Sequence, residues 1–323
     1  VPVDRRGWWL IGLGAALLAI AWILRRARQP EFATPPLVMA FVSVALGLPP
    51  SSLDRVGAFW GYLAAALAYA LAAAWLRQPL LLVASAVLSA VHYGVALVWL
   101  GVNPANYGLA LFPAVAVALT LAHLLDWRLG RPVPTSASGT PPGPAWLRAV
   151  APTLTSWLDW WAAPWYAWGY AGALVAVGLS LPLRSGQTND PARLALALAL
   201  ASLIFLHATA RFRSRGFLLL AGVLAQGAVL AVIDLYGWLE HPAWASLAFL
   251  PVTVVTAALA LAVELWRREG SPLSAQWWKG WSRPLYLLLA ADLLLGQTAA
   301  LFNSQPGAVV TVVHALLLAL LAT

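Results

Sequence analysis

The chain reads as an all-α, polytopic integral membrane protein of about eleven transmembrane helices arranged as tandem parallel four-helix repeats. Three observations predict this. Hydrophobic residues make up 62% of the 323 positions and charged residues 9%, where soluble domains carry roughly 25% charge. Apolar runs able to cross a hydrocarbon core of about 30 Å recur along the whole chain. Features of one group of runs return at a fixed offset of 138 residues, the signature of a repeat architecture.

The composition excludes several classes. Nineteen basic and eleven acidic residues are too few to cover the surface of a soluble protein of this length, so a soluble enzyme and a disordered chain are both ruled out. Cysteine is absent, which removes disulfides, thiol catalysis and cysteine-ligated metals. Lys279 is the only lysine. The arginine bias, with abundant Ala, Leu, Gly and Pro, points to a GC-rich, bacterial genome. The net charge of +8 is spread as punctuation between apolar runs. It is therefore a topology signal and not the footprint of a nucleic acid.

The elements follow in order. Run 7–24 opens the chain, lacks a small-residue cleavage site and is followed closely by another run, so it reads as a span and not as a signal peptide. Run 34–49 is short, with proline at both ends, and either spans with little tilt or is re-entrant. Runs 56–76, 80–101 and 107–127 are full-length. After a linker come 164–182, 193–211, 217–239 and 244–266, then 284–302 and 307–323. Backbone groups in lipid must be satisfied internally, so each run is expected to be a helix. No segment alternates with the period of a barrel strand.

Assigning loops to alternate sides places fourteen basic residues on the side reached after the first run and five on the other. The positive-inside rule then puts the arginine-rich loops in the cytoplasm and the amino terminus outside, in a bacterial plasma membrane.

Sliding the chain by 138 residues lays 80–126 on 218–264, with Pro104 on Pro242, Pro113 on Pro251 and Asp126 on Glu264. The unit is four helices, so every copy enters and leaves on the same face. That makes the repeats parallel and not inverted. The divisions are 1–29, the fourth helix of a preceding repeat; 30–132, repeat 1; 133–163, a Pro/Ser/Gly linker and tryptophan-rich segment; 164–272, repeat 2; and 273–323, an interfacial segment and the first two helices of a third repeat. On this division the sequence is a window from a longer array. Trp146, Trp157, Trp160 and Trp161, and Trp277, Trp278 and Trp281, are read as short interfacial helices, since indole prefers the headgroup boundary. A cofactor or lipid-headgroup site is the alternative. Gly12-Leu-Gly-Ala-Ala16 and the pair Gly169 and Gly172 suggest close helix packing.

Candidate chemistry rests on ionisable groups inside spans, which are costly there. Asp292 is central in its run and could relay protons, bind a cation or bond a neighbouring helix. Gln297, five residues on, falls off its face. Asp234 lies toward the outer end of 217–239, and with Glu240 and His241 forms an acidic cluster on the outer face that matches no metal motif. His92 and His314 lie near mid-membrane and could ligate haem or a chlorophyll-type pigment, or could be hydrogen-bonded within the bundle. His123 and His207 lie near cytoplasmic helix ends. Asp126 and Glu264 are repeat-matched helix ends expected to form interfacial salt bridges with nearby arginine. No phosphate loop, dinucleotide fingerprint, zinc-protease motif or nucleophile elbow is present, so no catalytic or metal-binding residue is assigned and no cofactor is expected.

The expected role is a non-enzymatic structural or scaffolding domain whose partners are the lipid bilayer and further repeats or subunits. The alternatives are a transporter or enzyme handling a lipid or lipid-linked substrate and, third, a cofactor- or pigment-binding membrane subunit.

Overall fold

The structure is a computed structural model that describes residues 3–130, 160–181, 190–269, 280–300 and 304–322. Among the described residues there are eleven α-helices, two 3-10 turns and no strand. The helices are α1 (Val3–Arg26), α2 (Pro30–Ser51), α3 (Arg55–Leu76), α4 (Leu81–Trp99), α5 (Tyr107–Leu129), α6 (Ala163–Ser180), α7 (Pro191–Phe212), α8 (Arg215–Leu235), α9 (Pro242–Glu269), α10 (Ser282–Ala300) and α11 (Ser304–Ala322). Each apolar run has most of its described residues on one of them. Among the described residues, eight helices, α1 to α5 and α7 to α9, are long and apolar enough to cross a membrane. Their outward faces carry large aliphatic groups such as Leu71, 70% exposed. Such faces suit lipid, since soluble proteins rarely expose contiguous apolar surface on this scale. The chain thus has the character of a helical, multi-pass membrane protein. The proline-rich linker, Trp146, Trp157, Trp277 and Trp278 lie outside the described residues.

Two expected boundaries shift. The short run 34–49 belongs to a 22-residue helix containing Pro35, Pro36, Pro49 and Pro50. These prolines sit near its ends, and the hydroxyls of Ser51 and Ser52 both donate to the Leu48 carbonyl at 2.8 Å, which also accepts the Ser52 N–H at 3.1 Å. Run 217–239 stops being α-helical at Leu235, because Gly237 turns the chain with φ 70° into a 3-10 turn, Trp238–Glu240.

The chain forms two compact units, Val1–Gly172 and Ala173–Thr323. In the first, α1 and α2 pack antiparallel at backbone distance. A Cβ on Gly7 would stand 2.5 Å from the Ser51 nitrogen, and one on Gly47 would stand 2.9 Å from the Gly7 carbonyl oxygen. Ser51 is fully buried and also receives Gly57 and Gly61 of α3. Beyond them, α3 and α4 form an antiparallel hairpin, Tyr93 donates to the Ala110 carbonyl of α5 at 2.7 Å, and Gly169 and Gly172 of α6 lie against Leu119 and Val115 of α5. In the second unit, α7 and α8 form a hairpin. α10 runs parallel to α8, with Leu288 over Gly222, and packs on α9 through Ala260, Leu285 and Leu288.

The two hairpins α3–α4 and α7–α8 share four local features. Asp54 and Asp190 each cap the first helix, accepting from the backbone N–H three residues on. Both first helices have 22 residues. Arg77 and Arg213 each close it in the left-handed conformation, φ 55° and 52°. Gly101 and Gly237 each turn left-handed after the second helix, φ 68° and 70°. These features lie 136 residues apart, while Pro113 and Pro251 lie 138 apart. The two-residue difference falls between Gly237 and Pro251. At offset 136 one interhelical bond also coincides with its roles exchanged. Ser85 of α4 donates to the Ala66 carbonyl of α3 at 2.9 Å, and Ser202 of α7 donates to the Ala221 carbonyl of α8 at 2.8 Å. Replacing either serine by alanine is expected to cost about 0.6 kcal/mol, the mean for such bonds in membrane helices. Thermal melting of the purified protein checks it.

Candidate functional site

Two networks join polar side chains between helices, one in each unit. In the second unit Asp292 sits on the face of α10 that meets α8 and α9. It is 1% exposed, and its Oδ2 accepts from Gln226 Nε2 at 3.0 Å. Thr256 of α9 stands beside the carboxyl and donates its own hydroxyl to the Val252 carbonyl at 2.9 Å. Among the described residues, Oδ1 of Asp292 has no hydrogen-bond partner. Gln226 and Thr256 also line a cleft of about 370 Å³ whose other walls are mostly apolar, within the size range of small-ligand pockets.

One turn beyond Asp292, His314 of α11 lies on Gly296, where a Cβ would meet its ring at 2.6 Å. Its Nδ1 is 3.0 Å from Gln297 Nε2, and Thr311 donates to Gln297 Oε1 at 3.4 Å. Gln297 does lie off the Asp292 face, as the sequence indicates, but that places it against α11 with a partner of its own.

In the first unit the polar centre joins α5 to the start of α6. Trp160 Nε1 donates to Asp126 Oδ1 at 2.9 Å, and the Tyr166 hydroxyl donates to Asp126 Oδ2 at 3.4 Å. The same hydroxyl is 2.7 Å from His123 Nδ1. Tyr166 is 2% exposed and stacks on Tyr170 at 6.1 Å. Among the described residues, the printed donors to the Asp126 carboxylate are thus an indole and a phenol. Arg128, two residues on, points elsewhere around the helix, with its guanidinium 4.8 Å from the Trp127 ring centre. Trp160 is therefore a hydrogen-bond donor to a carboxylate and not simply a headgroup anchor. Glu264, the matched residue, is half-buried near the end of α9.

The other predicted residues stand apart. His92 lies in the first unit, its Nδ1 3.0 Å from the Phe59 carbonyl and its ring 4.6 Å from the Phe59 ring. His314 lies in the second. Asp234 is half-buried at the end of α8, and Glu240 and His241 are exposed. Among the described residues no three His, Cys, Asp or Glu side chains gather closely enough to hold a metal ion. Comparison with protein-family models, curated proteins and solved structures returns no match.

Gln226 and Tyr166 are the residues that sequence reading missed. Both had a signal. Gln226 is an amide in the middle of an apolar run, and Tyr166 belongs to a Pro-Trp-Tyr start that returns as Pro284-Leu-Tyr286.

Proposed function

We propose that the chain is a non-enzymatic structural domain, a multi-pass array of repeated helix groups embedded in a bacterial plasma membrane with its arginine-rich loops cytoplasmic. Further repeats or subunits in the same bilayer are its partners. The observation that carries this reading is how the buried polar groups are used. Asp292, Ser85, Ser202 and Tyr166 all spend hydrogen bonds on joining one helix to the next. Small residues fill the contacts between, as expected where lipid supplies no hydrophobic drive for helices to associate. The shared caps and exchanged serine bond at offset 136 support the repeat.

A carrier for a lipid or small hydrophobic substrate is the second reading. It is favoured by the cleft lined by Gln226 and Thr256 and by the unpartnered Oδ1 of Asp292 beside them. One experiment separates the two. The protein is reconstituted in vesicles carrying a fluorescent phospholipid in one leaflet, as wild type and as Asp292→Asn. A structural domain moves that lipid across no faster than empty vesicles for both. Flux in the wild type that Asp292→Asn abolishes overturns the structural reading. Asp292→Asn is expected to melt within about 1 kcal/mol of wild type, whereas Asp292→Leu, which strands the Gln226 amide, costs about 1–3 kcal/mol.

A further inference from the structure

The first unit carries a groove of about 540 Å³ between α1 and α3. Its floor is shallow because the residues there are alanines, among them Ala15, Ala19, Ala64 and Ala68. Leu67 and Leu71 stand up along one side, both exposed. At one end the groove is closed by two tryptophans, Trp22 and Trp75. Each carries a guanidinium. Arg26 lies 5.3 Å from the Trp22 ring centre, and Arg25 reaches from α1 across to Trp75 of α3 at 5.6 Å.

The two helices run parallel, so their carboxyl ends fall at this same end of the groove. Each end is closed by an Arg-Gln-Pro turn. Arg28 and Arg77 take left-handed φ of 60° and 55°, and the N–H groups of Gln29 and Gln78 return to the Leu24 and Ala73 carbonyls at 3.0 Å. Those turns satisfy terminal carbonyls that would otherwise repel an anion. Arg25, Arg26, Arg28 and Arg77 are all exposed there, and Glu31 is the one carboxylate in the adjoining sequence.

We infer that this groove binds an anionic phospholipid, with one acyl chain on the alanine floor and the phosphate on Arg25 and Arg26. The occupant follows from charge and shape together. An apolar groove open to the bilayer takes an acyl chain, and a cluster of exposed arginines at its end selects a negative headgroup over a zwitterionic one. Guanidinium matches phosphate in a two-point fork, and stacking on the indoles holds both guanidiniums in place beforehand. The inference needs only the membrane character of the chain and is independent of the structural or carrier reading.

The test uses the full chain in detergent with added lipid, read by bound-lipid mass spectrometry and by melting temperature. Phosphatidylglycerol is compared with phosphatidylcholine of the same acyl chains and with inorganic phosphate. Phosphatidylglycerol is expected to bind about 30-fold more tightly than phosphatidylcholine, two arginines contributing about fivefold each. Arg25→Gln with Arg26→Gln should erase that preference while melting like wild type without lipid, since both side chains are exposed. Ala19→Leu with Ala68→Leu, which fills the groove, should weaken both lipids. Arg128→Gln, an exposed arginine off the groove, should leave the preference unchanged. Equal binding of the two lipids overturns the inference, as does displacement by inorganic phosphate at equal concentration. So does a preference that survives loss of Arg25 and Arg26, binding that survives filling of the groove, or a preference that Arg128→Gln also removes.

Discussion

Gly47→Leu is expected to drive α1 off α2 and lower stability by about 3 kcal/mol, the upper range for overpacking a close contact. The cost is set by what surrounds the missing side chain. Even a single Cβ at Gly47 would meet the Gly7 carbonyl oxygen and the Ile11 side chain at 2.9 Å, and the Leu10 Cβ at 3.1 Å. A backbone oxygen has no rotamer to change, so relief must come from moving a whole helix. Moving α1 also opens the contacts of Gly14 with Val44 and Ala40, and it uncovers Ser51, on which Gly57 and Gly61 of α3 converge. Gly7→Leu should behave alike, because a Cβ there lies 2.5 Å from the Ser51 nitrogen and 2.7 Å from the Gly47 oxygen. Gly12→Leu is the matched control. It sits in the same helix with nothing within 4 Å of its Cβ position and should melt like wild type. Melting curves of the three variants in one detergent decide it, and equal loss in all three would mean that the α1–α2 contact does not set the effect, since helix propensity by itself favours leucine over glycine.

That comparison also shows where the sequence stops being informative. The small-residue stretch 12–16 announces close packing, yet hydropathy does not say which glycine makes it. Only the partner does. Gly14 shares a face with Gly7 and Ile11, while Gly12 is turned away. Helix positions were legible because about 20 apolar residues between charges is a constraint imposed by the bilayer itself. Partners across helices were not. Asp126 stands close in sequence to Arg128 and invites a salt bridge, but its donors Trp160 and Tyr166 lie 34 and 40 residues away. Asp292 was conspicuous as a mid-span carboxyl, whereas its donor Gln226, 66 residues earlier, carries no charge and drew no notice. The recurrence at 138 was visible through paired prolines. Caps and left-handed turns, which place the α3–α4 and α7–α8 hairpins 136 apart, involve φ angles that composition does not encode.

Tyr166→Ala should be the most damaging single change in the polar centre of the first unit, costing about 4 kcal/mol as buried aromatic deletions do. Two terms combine. The ring is buried among Trp160, His123 and Tyr170, with centroids at 5.3, 5.3 and 6.1 Å. The hydroxyl meanwhile serves His123 and Asp126 together. Tyr166→Phe isolates the second term and is expected to cost about 1–3 kcal/mol, because it withdraws a donor from a carboxylate and a neighbour from an imidazole. Asp126→Asn should couple to Tyr166→Phe by at least about 0.5 kcal/mol in a double-mutant cycle, as groups within one network do. Asp126→Asn with Arg128→Gln should be additive, since Arg128 rests on Trp127 and not on the carboxylate. Coupling to Arg128 in place of Tyr166 would support a salt bridge there and remove the α5–α6 junction as the polar anchor of this unit. The physical reason to expect otherwise is directional. An indole N–H can only donate and an ionised carboxylate can only accept, so Trp160 and Asp126 at 2.9 Å fix each other's roles. The tyrosine hydroxyl then donates to the carboxylate's second oxygen, while the exposed Arg128 lies over Trp127.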